Sequence, residues 1–185
     1  MNKNNIVIIL CLVLLVQLAV PAYMIMNREG ILRNGIQLKF KTQPVDPYDA
    51  FRGKYVAISI EGTTGLSCTD SIKKGQRVYA VVKNGEDGFS TFEKVTTAIP
   101  LNCIYIEVKS DYTYNAVETV NIVLPFDRYY MNESLAPKAE EAYREHSAKN
   151  SKLLDTYVTV RVKNGKAVLE ELFIANLPIK EFLKK

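Results

Sequence analysis

The chain of 185 residues has no tryptophan and a single histidine. One histidine excludes a multi-histidine metal centre, and it leaves no second imidazole should His146 be a packed residue on an amphipathic helix. No glycine-rich phosphate loop, H-E-x-x-H or G-x-S-x-G pattern occurs, so the common nucleotide-binding, metallopeptidase and serine-hydrolase arrangements have no foothold. Cysteine is scarce, at three residues, and no C-x-x-C pair exists that would suggest a redox motif or zinc ribbon. Basic residues exceed acidic ones by only 24 to 20 and are spread along the chain. With no basic block or arginine-rich helix, nucleic-acid binding is not expected. Nothing in the sequence calls for a cofactor.

Charge is also absent from one long stretch. IVIILCLVLLVQLAVPAYMIM (Ile6–Met26) carries a single strongly polar residue, Gln17. At about 1.5 Å per residue it spans roughly 30 Å, the thickness of a bilayer's hydrocarbon core. It has no polar face, so it enters a membrane. Val20–Pro21–Ala22 offers small residues at which a signal peptidase could cut, leaving a soluble exported chain that starts at Tyr23. The apolar run continues to Met26, beyond the short core of a signal peptide, which favours a retained anchor over residues 1–27. Cys11 follows Leu10 rather than a small residue and reads as an apolar member of the anchor. A short tail before the anchor and the bulk of the chain after it imply a single-pass protein with its C-terminal domain outside the cytoplasm. In that setting Cys68 and Cys103 are the candidate pair for a disulfide, although their spacing does not fix the geometry.

After the anchor, residues 28–35 read as a polar linker, and 36–185 as one β-rich domain. Alternating apolar and polar residues mark strands at Ile36–Lys41, Tyr55–Glu61, Arg77–Lys83, Phe89–Ala98, Cys103–Lys109 and Ala116–Leu124. A helix is expected over Ser134–Lys149, with Pro137 in its first turn and Glu140 and Arg144 four residues apart. YVTVRV, Asn164–Gly165 and KAVLEELFIA form a hairpin signature. VYAVVKNG…FEKVTTAIP and VTVRVKNG…LEELFIANLP echo each other, through duplication or through shared hairpin grammar. The expected fold is mainly β (α+β), an antiparallel domain with one helix behind an N-terminal transmembrane helix.

The segment QPVDPYDAFRGKYVAISI concentrates the residues most able to make a site. Asp46-Pro47 initiates a turn, Asp49 can accept from nearby backbone N–H groups, Arg52 can donate two bonds to one carboxylate, and Gly53 permits close approach before a strand. A pinned corner accounts for every residue type. The alternative is a hydrolase-like acid/base dyad of Asp46 and Asp49. It requires one raised carboxyl pKa, and a neighbouring Arg52 acts in the opposite direction. Tyrosine is plentiful, at 11 residues, and the clusters Tyr112–Tyr114 and Tyr129–Tyr130 are candidate surfaces, though strands use tyrosine routinely.

DPYDAFRGKYVAI (Asp46–Ile58) resembles the signature of the bacterial G-D-Y-x-x-L-x-Y family of membrane-anchored proteins. LPFDRYYMNE (Leu124–Glu133) resembles that family's second block, and VRVKNGKAVLEELFI (Val160–Ile174) its closing hairpin. In the name-giving motif Gly53 and Tyr55 match, while Lys54, Ile58 and Ile60 replace the acidic residue, leucine and tyrosine. The resemblance implies an anchored extracytoplasmic β domain without a transferable activity, and a multi-pass membrane protein as partner. It singles out Asp46, Asp49, Arg52, Gly53, Tyr55, Arg128, Tyr129 and Glu133 as the interaction surface. Type I signal peptidases also open a strand with glycine after an anchor. Here Gln43, Pro44 and Val45 stand where the nucleophilic serine would be, which argues against peptidase chemistry.

Overall fold

A computed structural model describes residues 3–43, 55–68, 71–114, 119–147 and 155–184. In chain order the elements are α1 (Lys3–Asn34), β1 (Ile36–Gln43), β2 (Tyr55–Ala57), β3 (Ser59–Ile60), β4 (Leu66–Cys68), β5 (Arg77–Asn84), β6 (Ser90–Thr96) and β7 (Ile104–Tyr114). They continue with β8 (Thr119–Val123), β9 (Arg128–Tyr130), α2 (Ala136–Ser147), β10 (Thr156–Lys163), β11 (Lys166–Ile174), β12 (Leu177–Pro178) and α3 (Ile179–Phe182).

The apolar N-terminus forms a helix whose side chains are bare, Leu10 being 60% and Met26 73% exposed. It is long and apolar enough to cross a membrane. Residues 28–34, expected as a linker, are its last turns. Arg33 donates to Glu29 at 2.9 Å, the Asn34 amide donates to the Gly30 carbonyl, and Ile31 is buried. An (i, i+4) pair and a tertiary contact hold this polar stretch helical where composition alone suggested a loop. The helix stops at Gly35, whose N–H donates to the Ile31 carbonyl. A Cβ there would lie 2.5 Å from that carbonyl and 3.1 Å from the Val162 backbone, so only glycine lets β1 start against β10.

Five strands form an open sheet in the order β12-β11-β10-β1-β3, and five others close a barrel in the order β4-β6-β5-β7-β8. Both are antiparallel except for the β4–β6 pair. In β1 the inward residues Leu38, Phe40 and Thr42 alternate with exposed ones, the period of a half-buried strand. β10 is buried along most of its length, paired on both edges by β1 and β11, with Val158, Val160 and Val162 in the common core and Tyr157 of the alternate face stacked on Phe173. Sheet and barrel share that core: Phe40 stacks on Phe92 of β6 with centroids 5.2 Å apart and planes at 16°.

The echoing segments fold as the hairpins β5–β6 and β10–β11, one in each sheet. Each skips one residue in its ladder, Glu93 in β6 and Glu170 in β11, the same position of the two motifs. They differ at the turn. Asn164 and Gly165 adopt φ of 50° and 76° in a two-residue turn, whereas Gly85–Gly88 make a wider loop closed by Gly85 N–H donating to the Phe89 carbonyl. β4 lies outside the strands expected from alternation, and β9, β12 and α3 are too short for periodicity to reveal. Cys68 points into the core, Cys103 is at the surface, and both are thiols with no bridge between them.

Candidate functional site

β2 and β9 form a two-stranded ladder joining Tyr55 to Tyr130, Val56 to Tyr129 and Ala57 to Arg128, although about seventy residues separate them in the chain. The Ile58 N–H extends it by donating to the Asp127 carbonyl at 2.8 Å. Strand alternation sorts the side chains. Val56 and Tyr129 turn inward, at 0% and 7% exposure, while Arg128 and Tyr130 turn outward.

The outward residues make a continuous aromatic and cationic surface. The Arg128 guanidinium carbon lies 4.6 Å from the Tyr55 ring centroid, and the Tyr55 and Tyr130 rings meet edge-on at 5.8 Å. Arg128 is also 3.6 Å from the Asp127 carboxylate. A side-chain contact with Tyr130, then the charges of Tyr55 and Asp127, hold its pKa above the ordinary arginine value. The inward Tyr129 hydroxyl donates to Glu171 of β11, whose carboxylate also accepts from the Leu172 N–H at 3.1 Å. Burial, followed by the bond to Glu171 and its charge, drives the Tyr129 pKa well above the ordinary value. The ring therefore stays neutral and fastens the ladder to the large sheet.

Beside the ladder lies a recess of about 510 Å³, bordered among others by Arg28, Asp127, Arg128, Tyr130, Glu171 and Lys180. It mixes charges of both signs with aromatic edges, a lining suited to a polar partner surface rather than to a small apolar ligand.

Of the residues expected from sequence, Tyr55, Arg128 and Tyr129 come together here. Glu133 is exposed on the turn where Asn132 caps the approach to α2. Asp46, Asp49, Arg52 and Gly53 lie outside the described residues, as do the side chains of Tyr112 and Tyr114. Arg28, Glu171 and Lys180 escaped sequence reasoning, because only the tertiary packing of α1, β11 and α3 carries them to the ladder. His146 is packed, its Nδ1 2.7 Å from the Asp155 carboxylate and its ring edge-on to Phe182. Among the described residues no group of three or more histidine, cysteine, aspartate or glutamate side chains is arranged to hold a metal ion.

A mainly β domain carried on an N-terminal helix able to cross a membrane defines the class of this protein. The GDYXXLXY protein family model matches residues 17–172, and the chain belongs to that family. Neither a curated protein nor a solved structure matches it.

Proposed function

We propose that this is a single-pass membrane protein whose exported β domain is a non-enzymatic binding or accessory module for a membrane or envelope partner, such as a multi-pass protein. The outward face of the β2–β9 ladder is the contact surface. The observation that carries this reading is the sorting of side chains in that ladder. Val56 and Tyr129 anchor it in the core, so Tyr55, Arg128 and Tyr130 are held rigidly at the surface, with Tyr130 67% exposed. Arginine and tyrosine presented from a rigid support are the residue types that dominate protein interfaces. Asp46, Asp49, Arg52 and Gly53, which precede β2 in the sequence, are the further residues that this reading nominates.

Co-purification from native membranes tests the proposal. The full chain recovers a stoichiometric partner, and Arg128→Ala weakens its recovery while the melting temperature hardly moves. Recovery of the chain alone, without a partner, overturns it.

A further inference from the structure

We propose that the β10–β11 turn seats the domain on the bilayer, with Lys163 and Lys166 taking the phosphates of anionic lipid headgroups. This rests on the reading of α1 as a membrane anchor. α1 is one helix from Lys3 to Asn34, so the depth of each residue follows from a rise of about 1.5 Å. If the charge-free run Ile6–Met26 fills the hydrocarbon, Met26 lies at its edge. Asn27 and Arg28 then enter the headgroup layer, which adds roughly 5 to 7 Å on each side. Tyr23, 71% exposed, falls near the boundary, where tyrosine is favoured.

The turn meets the helix at this level. Lys163, Asn164 and Lys166 line a recess of about 230 Å³ together with Met26, Asn27 and Ile31, and among the described residues no carboxylate borders it. Both lysines are exposed, and neither pairs with a carboxylate among the described residues. Acidic side chains on the neighbouring elements are engaged elsewhere, Glu29 by Arg33, Glu170 by Arg161 and Glu107, whose N–H meets the turn, by Arg77. Arg28 adds a third exposed cation on the helix itself.

The tip that carries these lysines is fixed. The Gly165 carbonyl accepts from the Glu107 N–H at 2.8 Å, and the Tyr105 ring closes over Gly165. Two lysines held at headgroup depth on a braced turn lose less freedom on contact than lysines on a loose loop. A juxtamembrane cation near an anionic surface is attracted to it and released by salt.

Hydrogen exchange of the full chain in nanodiscs tests this, comparing phosphatidylcholine with phosphatidylcholine mixed with phosphatidylglycerol. The anionic lipid is expected to slow exchange at the β10–β11 turn about fivefold per lysine engaged, while the β4–β8 barrel is unchanged. Salt of about 0.5 M and the double variant Lys163→Gln/Lys166→Gln each remove the effect. Equal exchange in the two lipids, or slowing that survives the double variant, overturns the proposal with the anchor intact. Slowing by soluble glycerol phosphate in pure phosphatidylcholine discs also overturns it, since the ligand would then be a free phosphate. A chain that stays outside the disc overturns the anchor reading as well.

Discussion

Arg128 of β9 lies over the ring of Tyr55 of β2, 4.6 Å from its centroid, and so couples two segments that the chain keeps far apart. A guanidinium stacks flat on an aromatic face, whereas an ammonium makes only a point contact. Arg128→Lys should therefore weaken partner recovery nearly as much as Arg128→Ala, although it keeps the charge. Both variants should melt close to the parent temperature, because Arg128 is exposed. Quantitative pull-down with a thermal scan checks this, and full recovery by lysine would mean that charge alone matters.

Tyr129 gives a prediction in pH. Its folded pKa is raised above the ordinary value of 10.0, so the folded state holds the proton more tightly than the unfolded chain does. The stabilisation is fully present below pH 10 and is lost as pH rises toward the folded value. Tyr143 and Tyr157 are shifted in the same direction, chiefly by burial, and add to the alkaline loss. Tyr129→Phe should cost about 1.5 to 3 kcal/mol at neutral pH, the range for a hydrogen bond to a charged group. It should also flatten the stability profile above pH 10, as read by denaturant titrations at several pH values.

Phe40 and Phe92 join the open sheet to the barrel, and Phe40 is 1% exposed. Phe40→Ala removes a large side chain with little room for collapse and should cost about 3 to 5 kcal/mol. The sheet and barrel should still unfold in one transition, since they share a core. Two separate transitions in a calorimetric scan would show that they are independent units.

These residues mark how far the sequence could be read. Strands β1, β5 and β10 announced themselves by alternation or dense β-branched content, and the Asn164–Gly165 turn by its dipeptide. β9 could not announce itself, because three residues, RYY, carry no period, and only pairing with β2 makes them a strand. The polar tail of α1 reads as a linker for a related reason: Ile31 and Leu32 are too few to show a helical period, and the burial of Ile31 depends on β10 and β11. Tyr55, Arg128 and Tyr129 were visible as parts of motifs. Glu171 lay inside the closing-hairpin block but was not singled out as a site residue, since its role arises only from the packing of β11 against β9.

The anchor itself has a direct test. If α1 is retained, mass spectrometry of the protein from native membranes should find the N-terminal peptide preceding Tyr23, and alkaline carbonate should fail to extract the chain. A mature N-terminus at Tyr23 would leave only the last turns of α1 on the domain and convert it to a soluble exported protein.

Gly165 is constrained twice. Its φ of 76° lies in the left-handed region, where a side chain is strained, and a Cβ would fall 2.5 Å from the Tyr105 ring. Gly165→Ala must therefore pay for the backbone and also push Tyr105 away, and Tyr105 itself packs edge-on against Tyr79 at 5.6 Å. A loss of about 1 to 3 kcal/mol is expected from the strained conformation, with displacement of Tyr105 adding to it. Asn164→Gly at the preceding position, with φ of 50°, should be nearly neutral, because glycine relieves the same strain that its greater unfolded freedom offsets. Urea titrations of the two variants locate the cost. Equal destabilisation by both would assign it to the turn as a whole, whereas a large loss confined to Gly165→Ala assigns it to Gly165, to its left-handed backbone and its contact with Tyr105 together.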